Sequence, residues 1–398
     1  MTRTNTLTVP RSFFYMILIL ILPGCNIKEP RKKNNIDFEK AQKITIEDKQ
    51  LEDHLFLDEI IDRHSLEIYT FQEDKDNMLG MIGKCVSTPE GILIFDSSTK
   101  SIYLFDFNGT LIRKIGSYGK GPHEYLKPLD VVYNPFNNTV EVLDMAVKTR
   151  KFDIHSGELK FEGYSFQRKY HINSFLPIDS NIYAGYNGFS PVEEVYQNNF
   201  RFGVFKEKNI EYRNLYFDKE TAVPVTSINP FYLFDNKVRF FESIFPVIYS
   251  IDADTLVPEY RLVFKTANPS LTDPDDPALI KEVFDKKLPM LSRINETNNF
   301  IFITYLVDEM KRFSIYNKAD SKSLGTAIFN YKIKELDLEL YSLFQDGAFL
   351  GSIVYPDDLM RVKEHLSKLQ SLSPLQDRFN KLNISALSNP IFIRFKTI

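Results

Sequence analysis

The chain has 398 residues, 43% of them hydrophobic, which is enough for a large core. Its formal net charge is −4 with no basic excess, so nucleic acid is excluded as an expected partner. Phe (34) and Tyr (21) are abundant and Trp is absent, a composition that favours half-buried pleated surfaces.

Residues 1–24 read as a targeting segment. Arg3 and Arg11 supply positive charge ahead of "FFYMILILIL" (13–22), an apolar run of signal-peptide length and too short to span a membrane. "LPGC" (22–25) follows, and Gly24 before Cys25 resembles a bacterial lipobox. The resemblance implies cleavage before Cys25 and attachment of diacylglycerol to its sulfur. Loss of Arg3 and Arg11 then takes the charge from −4 to −6. The acyl chains would hold the protein on a membrane while its body stays in water. "NIKEPRKKNN" (26–35) is polar and reads as a tether, extended by a charged approach, so residues 25–62 are expected to be lipidated cysteine and linker. The second cysteine, Cys85, has no intramolecular partner and is expected to be a buried thiol.

From residue 63 the pattern is strands and turns. "GILIFDSSTKSIYLFDFNGTLIRKI" (91–115) and "TVEVLDMAVKTRKFDIHSGELKFEG" (139–163) share one scheme at an offset of 48 residues, with Asp96 matching Asp144 and Asn108-Gly109 matching Ser156-Gly157. Asn-Gly between alternating runs is a strong hairpin signal, because both residues tolerate positive φ. Weaker copies follow, giving repeats at 78–115, 128–164, 172–217, 228–264, 290–329 and 341 to the end. A period of 40–50 residues built of about four strands predicts an all-β, six-bladed β-propeller over 63–398. "SLEIYTF" (65–71) is expected to pair with the terminal "NPIFIRFKTI" (389–398) and remove a free edge. Helical insertions are predicted over about 272–288 and 356–383. Asp357 or Asp358 is expected to cap the second, with Leu359, Val362, Leu366 and Leu369 on one face.

"GSYGKGPHEY" (116–125) is the densest glycine cluster. A phosphate-binding loop requires Ser or Thr after its lysine and then a helix. Here Lys120 is followed by Gly121 and Pro122 and then by another strand, so a nucleotide ligand is not expected. The run resembles the turn between blades of NHL-type six-bladed propellers. With the LPGC signal and the terminal strand, the chain resembles the six-bladed β-propeller lipoproteins of Bacteroidota over about residues 60–398. That resemblance implies a cell-envelope location, lipid-anchored and expected at the outer membrane with the leaflet open, and it implies no reaction. Gly116, Gly119, Gly121 and Pro122 are then the structural turn, and Glu124 and Tyr125 pin it. His123, Glu124 and Tyr125 form the candidate binding loop, since it leads toward the inner face of the ring.

Signals of chemistry are sparse. The six histidines, His54, His64, His123, His155, His171 and His365, form neither H-x-H nor H-E-x-x-H, so no metal site or cofactor is expected. Asp96 and Asp144 are read as turn caps rather than calcium ligands. There is no G-x-S-x-G elbow. Asp254-Thr255-Leu256 resembles the short O-glycosylation motif of exported Bacteroidota proteins. The expected role is a non-enzymatic binding or scaffold module for a glycan, peptide or protein. The alternative is an envelope hydrolase or lyase with a metal or His/carboxylate site in the channel. No catalytic residue is assigned.

Overall fold

The computed structural model describes residues 36–75, 77–121, 124–144, 148–163, 172–188, 200–206, 209–216, 229–252, 255–269 and 276–398. These are mostly β, and they form six principal sheets plus one two-stranded ribbon. Sheet I runs Ile82–Thr88, Gly91–Asp96, Ser101–Phe105 and Leu111–Lys114. Sheet II runs Pro128–Asn134, Thr139–Asp144, Lys148–Asp153 and Leu159–Gly163. Sheets III, IV and V begin with Ser174–Pro177, Phe231–Phe234 and Met290–Glu296, and each continues as an antiparallel meander. Sheet VI is built differently. Phe344–Asp346, Phe349–Val354 and Ile391–Thr397 are completed by the early strand Ile61–Tyr69. The expected pairing of the two ends is found, in the register Phe392↔Tyr69, Ile393↔Ile68 and Arg394↔Glu67.

Burial explains why these segments hold as strands. The third strand of sheet I, "SIYLF", is buried at every position, whereas the last strand, "LIRK", alternates between half-buried and exposed. A strand with packing on both faces needs an unbroken apolar run, and one at the rim does not. The hairpin loop before "LIRK" turns at Gly109 with φ +83°, and a Cβ there would lie 1.7 Å from the Thr70 carbonyl oxygen. Only glycine fits such a close approach.

The core is divided between neighbouring sheets. Leu104 and Ile115 of sheet I share a cluster with Val140, Val142 and Phe152 of sheet II. Similar clusters join II to III, III to IV, IV to V and V to VI. The last joins VI to I, where Tyr69 and Phe392 pack with Cys85, Ile92 and Phe105. Each sheet therefore buries both faces against its neighbours, and the sixth meets the first.

Buried carboxylates tie successive sheets where apolar packing alone would not fix register. Glu141 of sheet II accepts the hydroxyl of Tyr183 of sheet III at 3.0 Å. Glu242 of sheet IV accepts Tyr186 of sheet III at 3.0 Å and Arg201 Nε at 2.6 Å. Glu296 of sheet V accepts Tyr232 and Tyr260 of sheet IV at 3.1 and 2.9 Å, with Lys318 Nζ at 2.7 Å. A fully buried carboxylate survives only with such compensation.

Three expectations change. The tether does not extend to residue 62. Gln42–Ile46 adds in parallel to the last strand of sheet IV, and Leu51–Phe56 to that of sheet V. Ile44, Ile46, Leu55 and Leu57 are buried there. Their charged flanks disguise short amphipathic strands whose partners lie more than 200 residues away. The insertion over 356–383 is two helices, α2 (Pro356–Ser367) and α3 (Pro374–Asn380), after α1 (Pro277–Asp285) within the first predicted insertion. The N-cap of α2 is Tyr355, with no side-chain cap bond; Pro356 opens the helix and puts Asp357 and Asp358 in its first turn. Leu359, Val362 and Leu366 are buried, but Leu369 lies beyond the helix end and is 38% exposed.

Candidate functional site

The first strands of the six sheets surround one cavity of about 460 Å³. They contribute Lys84–Ser87, Asp130 and Val132, Ser174–Leu176, Phe231–Leu233, Arg293–Asn295 and Phe344–Asp346. Tyr341 and Tyr355 also line it, and the Tyr355 hydroxyl accepts the Ile82 N–H at 3.3 Å. The lining is mainly apolar and aromatic with a few polar groups, which is the usual make-up of a small-molecule site.

Most charges at the cavity are internally neutralised. Lys84 Nζ donates to Asp130 Oδ1 at 2.7 Å, and Asp130 Oδ2 accepts the Phe175 N–H at 3.1 Å. Asp346 accepts the Ser87 N–H and hydroxyl at 2.8 and 2.5 Å, and Arg394 Nη1 stands 3.3 Å from it. Arg394 also pairs with Glu67 at 2.6 Å and lies over the Phe349 ring. Arg293 differs. Its Nη1 donates to the Leu343 carbonyl at 3.2 Å, and no carboxylate meets it among the described residues. Burial lowers its pKa from the ordinary arginine value, with Tyr331 acting the other way. The guanidinium nonetheless stays charged.

The sequence-predicted loop lies elsewhere. Ser117–Tyr118 and Glu124–Tyr125 pair as a parallel ribbon, and none of Gly116, Gly119, Gly121, Glu124 and Tyr125 lines the cavity. Glu124 turns back to accept the Gly121 N–H at 2.5 Å, as a pin for the turn. Tyr125 is fully buried between sheets I and II, edge-on to Phe152, so it is a core residue and not a ligand contact. Gly116 has φ +59°, and a Cβ there would come within 2.8 Å of Phe152. Pro122, His123, His171 and the lipidation candidate Cys25 lie outside the described residues.

Cys85 is buried in the wall of the cavity, where desolvation, reinforced by nearby Asp346, pushes its thiol pKa well up. That makes it a poor nucleophile. Asp96 and Asp144 each reach back to the chain ahead of their sheet's first strand, and Asp96 also caps the turn after it. Asp96 accepts the N–H groups of Gly80, Ser98 and Thr99, and Asp144 those of Leu126 and Lys127. Among the described residues no three His, Cys, Asp or Glu side chains stand where they could share a metal ion, and no described histidine lines the cavity. No described helix is long and apolar enough to cross a membrane. Sequence reasoning missed Arg293, because a lone arginine in "MLSRINE" carries no local signal.

No curated protein matches the chain. Among solved structures it is similar to a candidate exported protein of Bacteroides fragilis NCTC 9343, at 17% identity and a TM-score of 0.67, over 90% of this chain and 100% of that one. At this identity the likeness concerns the fold alone. A DUF4221 family member from Bacteroides vulgatus ATCC 8482 aligns at 11% identity and a TM-score of 0.44, over 83% and 98% of the two chains. BamB from Moraxella catarrhalis aligns at 10% identity and a TM-score of 0.37, over 73% of each. Residues 33–396 match the family profile described as a domain of unknown function, DUF4934, and the chain belongs to that family.

Proposed function

We propose that this is a cell-envelope binding protein: a six-bladed β-propeller, lipid-anchored through Cys25, whose central cavity holds a small ligand or one end of a larger one. The observation that carries the binding role is the cavity of about 460 Å³, enclosed by the first strands of all six sheets. Pockets of roughly 300–1,000 Å³ with apolar walls and few polar groups suit small-molecule recognition. The propeller reading rests on six sheets of four or more strands that share a core in sequence order, the sixth with the first. The signal ahead of Cys25 and the exported relative's description both favour the envelope. A glycan or peptide end would place a ring or side chain against Phe231, Phe344 and Tyr355. Both carboxylates at the cavity, Asp130 and Asp346, are engaged with cations, which favours binding over acid–base hydrolysis.

Thermal unfolding of the purified full-length protein against envelope and dietary glycans and short peptides tests the reading. A ligand that binds the folded state raises the midpoint. The shift should vanish in Leu233→Glu, which places a charge at a half-exposed cavity position without touching the core. A ligand shift that persists unchanged in that variant would put binding elsewhere and overturn the proposal.

A further inference from the structure

We propose that the cavity receives a ligand bearing a carboxylate and that Arg293 is the residue that holds it. This rests on the reading of the cavity as a binding site.

Arg293 stands on the first strand of sheet V, half-buried, with its side chain on the cavity wall. One of its five N–H groups is used, on the Leu343 carbonyl at 3.2 Å. Asn295 Nδ2 donates to the same oxygen at 3.1 Å, so that carbonyl is already shared. None of the remaining Arg293 nitrogens is sealed in the protein without a partner, so they face accessible space. The other cation in the lining, Lys84, is paired with Asp130, and Arg394, which reaches Asp346 from outside the lining, is paired with Asp346 and Glu67. Arg293 is thus the channel cation left without a counter-charge among the described residues. A guanidinium fork that faces open space matches a carboxylate bidentately.

A single unpaired guanidinium fork suits a monoanion. A phosphate dianion would bring two charges to one uncompensated cation, near the carboxylates of Asp130 and Asp346. The aromatic wall supplied by Phe231, Phe344 and Tyr355 suits a ring beside the acid group. Sugar acids and aromatic acids share that chemistry.

The test is calorimetric titration of the full-length protein at fixed ionic strength. The probes are glucuronate against glucose, benzoate against benzyl alcohol, and inorganic phosphate. Wild type, Arg293→Gln, Arg293→Lys and Leu233→Glu are compared. At least one carboxylate should bind more tightly than its neutral counterpart and than phosphate. Arg293→Gln should weaken that carboxylate about ten- to a hundred-fold while leaving the neutral partner unchanged. Arg293→Lys, which keeps the charge but loses the fork, should fall between. Unliganded Arg293→Gln should melt no lower than wild type, whereas a structural role would lower its midpoint. Which of the two acids binds identifies the source. Equal carboxylate affinity in wild type and Arg293→Gln, with loss in Leu233→Glu, would overturn the role of Arg293 and leave the cavity reading standing. Affinity unchanged in both variants would overturn both. Preference for phosphate, or no binding by either acid, would overturn the carboxylate inference.

Discussion

The hydroxyl of Tyr232 donates to the carboxylate of Glu296 at 3.1 Å, joining sheet IV to sheet V beneath the cavity wall. Both side chains are buried. Lys318 and Arg239 bring positive charge to the same carboxylate, at 2.7 and 3.5 Å. Burial lowers the Lys318 pKa, and Glu296 acts against that shift. Tyr232 itself is pushed well above the ordinary tyrosine value by desolvation and then by Glu296, so it remains a donor. Glu296→Ala leaves Lys318 without a counter-charge and should cost about 3–5 kcal/mol. Tyr232→Phe leaves Glu296 with Tyr260 and Lys318 and should cost about 1–2 kcal/mol. Denaturant unfolding of the two variants checks the order as well as the size.

Asp96 gives stability a definite pH dependence. Burial raises its pKa, but the bonds from the Ser98 hydroxyl and the Gly80, Thr99 and Ser98 N–H groups together bring it below the ordinary value. A carboxyl whose folded pKa is depressed stabilises the fold above its unfolded pKa of about 3.9 and loses that contribution as pH falls through the lower folded value. Asp96→Asn should therefore be less stable than wild type by a constant margin above about pH 5, narrowing below about pH 4. Unfolding midpoints of both proteins across that range measure the margin. A margin that widened in acid would reverse the assignment.

The parallel strands Gln42–Ile46 and Leu51–Phe56 are part of the folded body. Deleting residues 36–57 uncovers the last strands of sheets IV and V and exposes the partners of Ile44, Ile46, Leu55 and Leu57. At about 1.5 kcal/mol or more for each buried aliphatic side chain, the loss is on the order of 5 kcal/mol. A chain beginning at Ile36 should melt like the full-length protein, and one beginning at Asp58 should melt far lower or aggregate through its open edges. Equal midpoints would show that the two strands add nothing.

Lipid attachment is checked directly. A bacterial host expressing the chain should incorporate labelled palmitate into it and retain it in the membrane fraction. Cys25→Ala should abolish both, whereas Cys85→Ala should abolish neither, because that thiol is buried in the core. Labelling that survives Cys25→Ala would remove the proposed anchor.

Asp96 and Asp144 show how much was readable locally. The match at an offset of 48 residues is the structural match, for Asp96 faces Ile82 and Asp144 faces Pro128 across equivalent first-strand positions. Both capping patterns close within 20 residues, a range over which hydrophobic alternation and turn chemistry are sufficient. The pairing of "SLEIYTF" with the terminal strand was also readable, because each was a strand lacking a partner. Tyr125 shows the limit. Whether the aromatic beside the glycine run faces a ligand or a core depends on where sheet II lies against sheet I.

The sequence by itself determined most of the strands, their turns and the repeat that groups them. Each of these rests on side chains near one another in the chain: alternation, positive-φ glycines, short Asp caps. The tertiary structure alone decided the parallel strands before residue 57, the Glu–Tyr ties between sheets, the cavity and the uncompensated charge of Arg293. Those depend on which residues meet across hundreds of positions. Whether a charge is neutralised is a property of the assembled surroundings, and no single segment encodes it.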